Sequence, residues 1–158
     1  MTDLSLPEPP VIERNPAGAS PFLLTCDHYG RTIPAALGDL GLPASELTRH
    51  IAWYIGIAGV AELVSDALGA HLIAQRYSRL VIDCNRPPEV ASSIPVLSEA
   101  TAIPGNEGIS RAEADARRRA IFSPYHGRIG EAIDARLRDG RPTVLVSLHS
   151  FTPVYAGV

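Results

Sequence analysis

Two short apolar runs dominate the hydropathy pattern, and each ends at a histidine. Phe22-Leu-Leu-Thr-Cys26 leads directly into Asp27-His28-Tyr29-Gly30, and Thr143-Val-Leu-Val-Ser-Leu148 leads into His149-Ser150-Phe151-Thr152-Pro153. Continuous apolar runs of strand length, bounded by turn residues, predict central strands of a parallel sheet. Two further strand candidates follow one another, His71 to Gln75 and Arg79 to Cys84, split by Arg76-Tyr77-Ser78. The second reads as the stronger of the pair. Between the first run and these, Ile51, Ile55, Ala58, Val60, Ala61, Leu63, Val64 and Leu68 recur at helical spacing from about Ser45. Ser45 is placed to cap a helix there, Gly56 and Gly59 predict that it starts anew within the stretch, and Gly69 predicts its end.

The second half reads differently. From Asn85 to Gly108, prolines 87, 88, 95 and 104 and glycines 105 and 108 impose a long irregular loop, a feature that in compact domains usually serves function. Ser110-Arg-Ala-Glu113 has the form of a capping box and opens a helix to about Phe122. Pro124 then marks a kink or a second helix start, with Tyr125 to Arg138 continuing to Asp139-Gly140. Residues 1–20 are rich in proline and lack periodicity, so they read as an extended arm ahead of one α/β domain spanning 21–158.

Composition narrows the class. With 158 residues, 46% of them hydrophobic and 20% charged, the chain suits one globular domain with one core. Its apolar stretches are strand-sized, which leaves no membrane span. The first ten residues lack a basic start and an apolar signal core, so the expected location is cytoplasmic. A net charge of −3 argues against a nucleic-acid footprint. All 14 basic residues are arginine, so any cation in a pocket is a guanidinium, suited to bidentate recognition of carboxylates. Cys26 and Cys84 are expected to remain thiols.

Ligands of open α/β sheets bind outside the carboxyl ends of the strands, so His28 and His149 are expected to open onto one site for metal binding or acid/base chemistry. Each histidine taken alone also fits a hydrogen-bonded structural role. Asn85 and Arg86, at the end of the Arg79 run, offer the planar donors a substrate carboxylate needs; a turn asparagine and a salt-bridged surface arginine fit equally well. Arg117-Arg118-Arg119 reads as a solvated helix face beside Glu113 and Asp115. Cys26 and His28, two apart on a strand, share a face and could support thiol chemistry.

The ordered series Cys26-Asp-His28-Tyr-Gly30, Ile33-Pro34, His50-Ile-Ala-Trp-Tyr-Ile-Gly56, Tyr77-Ser-Arg-Leu-Val-Ile-Asp-Cys-Asn-Arg86, Ile103-Pro-Gly-Asn106, Pro124-Tyr-His126 and His149-Ser-Phe-Thr-Pro153 closely resembles the N-formylglutamate amidohydrolase family, over about residues 21 to 157. The resemblance implies a zinc carboxypeptidase-like hydrolase. Its fold would be a three-layer α/β/α sandwich with a mostly parallel mixed sheet, and its substrate N-formyl-L-glutamate or a related N-acyl amino acid. It makes His28 and His149 the protein ligands of one zinc per chain, and Arg79, Asn85 and Arg86 the residues that hold substrate carboxylates.

Two departures touch the chemistry. Tyr54 stands where the family usually carries an aspartate that resembles the third metal ligand, with Asp27 as a substitute donor. Family members also continue well past His149 with further strands and a late glutamate that resembles a general base, and no residue here matches it. The resemblance therefore implies a sandwich lacking its C-terminal strands, with an unpaired sheet edge open to self-association. Two functions compete: a metal-dependent amidohydrolase, or a catalytically inactive, carboxylate-binding remnant of one.

Overall fold

The computed structural model describes residues 4–151; Thr152 and Pro153 of the last motif lie outside them. Four strands form the main sheet in the order β1-β3-β2-β6, where β1 is Val11–Arg14, β2 Phe22–Cys26, β3 His71–Gln75 and β6 Val144–Ser147. β2 runs parallel to both β3 and β6, while β1 runs antiparallel to β3. The two inner strands are buried along almost their whole length, as expected of parallel strands covered on both faces. Alternate residues feed two cores. Leu23 and Ile73 join Ile121, Tyr125 and Ala132 on one side, and Leu24, Cys26, Leu72 and Ala74 meet Ile57 and Ala61 on the other.

Helix α1, Ile57–Leu68, covers the second face. It starts after Gly56 at φ +80° and stops at Gly69 at φ +55°, whose N–H donates to the Asp66 and Ser65 carbonyls. The periodic stretch ahead of Gly56 forms a single 3-10 turn, Glu46–Thr48, and further turns instead of a first helix. Glu62 and Asp66 occupy one flank of α1. Asp66 pairs with Arg14 of β1 through two bonds of 2.7 and 2.6 Å, which places that flank toward β1. Val60 and Leu63 lie on the sides of α1 turned away from that flank and from the core, and both are exposed. Val144 and Leu145 on β6 are half exposed, and no further strand pairs with β6 among the described residues.

Within the segment read as an arm, β1 forms a sheet edge held by charge. Glu13 accepts from His71 at 2.6 Å and pairs with Arg128 at 2.8 Å, tying β1 to β3 and to the helix Ser123–Arg138. The long loop contains a two-stranded hairpin, β4 Leu97–Ser98 with β5 Thr101–Ala102, and two 3-10 turns.

Two further expectations are overturned. Arg79 to Cys84 is not a strand: it is a buried, turn-rich segment. Its apolar side chains are as buried as a strand's, so hydrophobicity alone misleads; the difference lies in where its backbone bonds go. Val81 N–H donates to Ser78 O at 2.9 Å and Asp83 N–H to Ser93 O at 2.7 Å. Asn106 Nδ2 donates to Leu80 O at 2.8 Å and Arg117 to Val81 O at 3.1 Å. Side chains from other segments thus replace a ladder. The second correction follows, because Arg117 is not on a solvated face. It is 3% exposed and also donates to Asn106 Oδ1 at 2.6 Å and Gly105 O at 3.3 Å.

The capping box forms as expected at Ser110, opening α2, Arg111–Arg117. A π-helical turn, Arg118–Phe122, then runs directly into α3, Ser123–Arg138. Pro124 sits in the first turn of α3, directly after the π-helical turn, where the regular i→i−4 ladder is already interrupted.

Candidate active site

The register Phe22↔Val144 and Thr25↔Ser147 brings the carboxyl ends of β2 and β6 level with each other. His28 and His149 each follow their strand by two residues, and their ring centroids lie 6.0 Å apart. Tyr54 makes the third corner, 4.4 Å from the His28 ring and 5.6 Å from that of His149. Backbone bonds put it there. Tyr54 N–H donates to His28 O at 3.1 Å, and Tyr54 O accepts from Ile57 N–H at 3.2 Å at the start of α1. Gly30 closes the turn after His28 against the chain at Arg76; a Cβ there would fall 1.8 Å from Arg76 O, so no other residue fits.

His28 is 1% exposed, and its Nε2 meets Asp83 Oδ1 at 2.7 Å. Asp83, itself buried, also accepts from Arg79 at 2.8 Å and from the Asn85 N–H at 2.9 Å. Burial alone would push the Asp83 carboxyl up. The His28 hydrogen bond and charge, Arg79 and the Asn85 N–H outweigh burial and hold it below the usual range. An ionised Asp83 accepts only, so His28 Nε2 is the donor, and Nδ1 is the nitrogen that bears the lone pair in the neutral form of the ring. That Nδ1 is buried with no hydrogen-bond partner.

The rest of the site is asymmetric. The Arg79 guanidinium lies 5.7 Å from the Tyr54 ring centroid while paired to Asp83. His149 is partly exposed, with Nε2 2.8 Å from Ser147 Oγ and 3.8 Å from Asp27 Oδ2. Asp27 accepts from the Tyr125 hydroxyl at 2.7 Å; burial first, and then the Asp27 charge, push that phenol well above its usual value. Of the residues expected to hold carboxylates, the structure brings Arg79 to the aromatic triangle. Asn85 and Arg86 are exposed in the turn after Asp83, where Arg86 N–H donates to Asp83 O at 3.2 Å. Cys26 is fully buried, and burial and then Asp27 push its thiol up to about 12, which makes it a poor nucleophile.

Asp83 and Tyr125 carry site structure that sequence reading left unassigned. Asp83 did carry a signal, a lone acid ending a buried apolar run; Tyr125 reaches the site from 98 residues away, and its signal was the Pro124-Tyr-His126 motif, to which the sequence attaches no role.

A metal ion fits part of this arrangement. A buried imidazole nitrogen with no partner, backed by a carboxylate on the other ring nitrogen, is the usual setting of a metal-ligating histidine. His149 supplies a second imidazole within reach. Among the described residues, however, no group of three His, Cys, Asp or Glu side chains is placed to hold a metal. The third corner belongs to Tyr54.

Residues 20–157 match the family model of N-formylglutamate amidohydrolase. An N-formylglutamate deformylase of Pseudomonas putida is 31% identical over 132 residues, 77% of this chain and 48% of that protein. The solved gene product Atu2144 of Agrobacterium tumefaciens is 47% identical with a TM-score of 0.94, covering 96% of this chain and 60% of that one. The N-formylglutamate amidohydrolase of Ralstonia eutropha JMP134 is 24% identical with a TM-score of 0.64, over 90% and 57% of the two chains, and shares the fold. The chain thus spans about half the length of the curated relative that it matches.

Proposed function

Because this chain belongs to the N-formylglutamate amidohydrolase family, we propose that the pocket between His28, His149 and Tyr54 hydrolyses the amide of N-formyl-L-glutamate or a related N-acyl amino acid, with zinc held by the two histidines. The observation that carries this reading is His28 Nδ1, buried without a partner while Asp83 holds the other ring nitrogen. Burying such a nitrogen unpaired costs about 1–3 kcal/mol, a cost that a bound ligand removes.

Each residue then has a role. Asp83 holds the proton on His28 Nε2 and so keeps Nδ1 free for metal. His149, on the neighbouring strand, supplies the second imidazole, steadied by Ser147. Arg79 gives one N–H to Asp83 and keeps further donors for a substrate carboxylate, with the exposed Asn85 and Arg86 beside it for a second. Zinc bound in such a setting polarises the acyl carbonyl and lowers the pKa of a water toward about 7. In the net reaction, water adds its oxygen to the acyl carbon, the C–N bond breaks, the departing nitrogen takes a proton, and formate and the free amino acid result.

Formate release from N-formyl-L-glutamate, assayed with added zinc on the wild type and on His149→Ala, tests the proposal. Turnover that is lost in the variant supports it. Saturable binding of N-formyl-L-glutamate without turnover at any zinc concentration would instead support a carboxylate-binding remnant, the reading favoured by Tyr54 in place of an acid.

Other features support the coarser expectations. The mostly parallel sheet with helices on both faces favours carboxypeptidase-like layering. No helix among the described residues is long and apolar enough to cross a membrane. The two buried thiols suit a reducing, cytoplasmic setting. Among the described residues the β6 edge is unpaired and carries the half-exposed Val144 and Leu145, which favours self-association; light scattering at several concentrations would reveal or dismiss it.

A further inference from the structure

We infer that Tyr54 is the residue that sets metal affinity in this pocket: its ring fills the third corner of the site, leaves divalent metal with two imidazoles, and makes the chain a weak metal binder that one substitution converts into a strong one. The inference rests on the reading of His28 and His149 as metal ligands.

Three observations lead to it. The rings of His28, His149 and Tyr54 form a closed triangle with sides of 4.4, 5.6 and 6.0 Å, so whatever stands at position 54 faces both imidazoles. Catalytic zinc takes three protein ligands from imidazole, thiolate and carboxylate, and a phenol set edge-on between two imidazoles is the poorest donor of the three corners. Asp27 is engaged by the Tyr125 hydroxyl, and its other oxygen lies 3.8 Å from His149 Nε2, so it does not complete a metal set. Finally, main-chain bonds to His28 O and from Ile57 N–H fix the backbone of residue 54 without help from its side chain. A carboxylate introduced at 54 therefore arrives at the same corner, with less bulk and a full negative charge. Its arrival also frees the ring volume over which Arg79 lies.

The test is titration of the metal-free protein with Co²⁺ and Zn²⁺, following Co²⁺ d–d absorbance and Zn²⁺ affinity by calorimetry. The proteins compared are the wild type, Tyr54→Asp, Tyr54→Phe, and Tyr54→Asp combined with His28→Ala, with circular dichroism confirming the fold of each. The expected result is that Tyr54→Asp binds Zn²⁺ at least about 10-fold tighter than the wild type, the lower end of what a group serving the metal contributes. Intense Co²⁺ bands of low coordination number should appear with it, while Tyr54→Phe behaves as the wild type and the double variant loses the gain. Equal affinity in wild type and Tyr54→Asp, or loss of wild-type affinity in Tyr54→Phe, overturns the inference while leaving the histidine pair in place. A gain in Tyr54→Asp that survives His28→Ala overturns the histidine assignment itself, and the inference with it.

Discussion

Arg117 offers a demanding test of how the site is supported. Its guanidinium stands in for a missing strand neighbour, donating to Val81 O, Asn106 Oδ1 and Gly105 O and so holding the segment that carries Arg79 and Asp83. Arg117→Met keeps the length of the apolar stem and removes all three bonds. Each orphaned acceptor costs about 1–2 kcal/mol, since the donor is charged and the sites are buried. Part of this returns, because burial already disfavours the guanidinium, holding its pKa below the usual value, and its Nε has no partner. The net loss is about 3 kcal/mol. For a chain of this size that lowers Tm by roughly 6–12 °C, measured by circular dichroism melts. Arg111→Met, at a site 97% exposed, is the control and is expected to change stability by less than about 0.5 kcal/mol. If Arg117→Met melts within 2 °C of the wild type, the claim that side chains replace a strand ladder here is wrong.

Two other expectations concern charge. Burial lowers the pKa of His71, an effect only partly offset by Glu13, so between that value and 6.5 the unfolded chain binds more protons than the folded one. Stability is therefore full above pH 6.5 and falls as pH drops through this window; melts from pH 7.5 to 5.5 should show a declining Tm in the wild type and a flatter trend in His71→Gln. Glu13 is subject to burial that raises its pKa and to Arg128 and His71, which lower it further than burial raises it, so its own contribution fades only below about pH 4.5 and does not blur the test. At the site, Asp83→Asn should weaken zinc binding about 10–100-fold with the fold retained, because the orienting partner of His28 Nε2 is lost. Unchanged affinity in calorimetry would separate Asp83 from the metal.

The sheet core and the histidine pair were legible in the sequence for one reason: β2, β3 and β6 are short apolar runs with turn residues at their ends, and parallel pairing of β2 with β6 makes their carboxyl ends adjacent. The Arg79 to Cys84 segment was not legible, since burial gives a strand and a buried turn the same composition. What separates them is the set of bonds from Asn106 and Arg117, which only the folded chain displays. Arg117 itself was hidden by its neighbours, because in a run of three arginines nothing local says which one turns inward. The strand Val11–Arg14 was masked by the surrounding prolines, and its stability comes from Glu13 meeting His71 and Arg128 across the fold. Asp83 could have been found from the cost of leaving an acid unpaired beside an apolar run.

The claim that His28 and His149 form one metal pocket is tested most directly by imidazole ¹⁵N NMR during zinc titration. The expected result is that His28 Nδ1 and one nitrogen of His149 shift together and complete their shift at one zinc per chain, while His28 Nε2 remains a protonated donor to Asp83. Zinc that moves the resonances of other histidines, and leaves His28 Nδ1 unshifted, would contradict it.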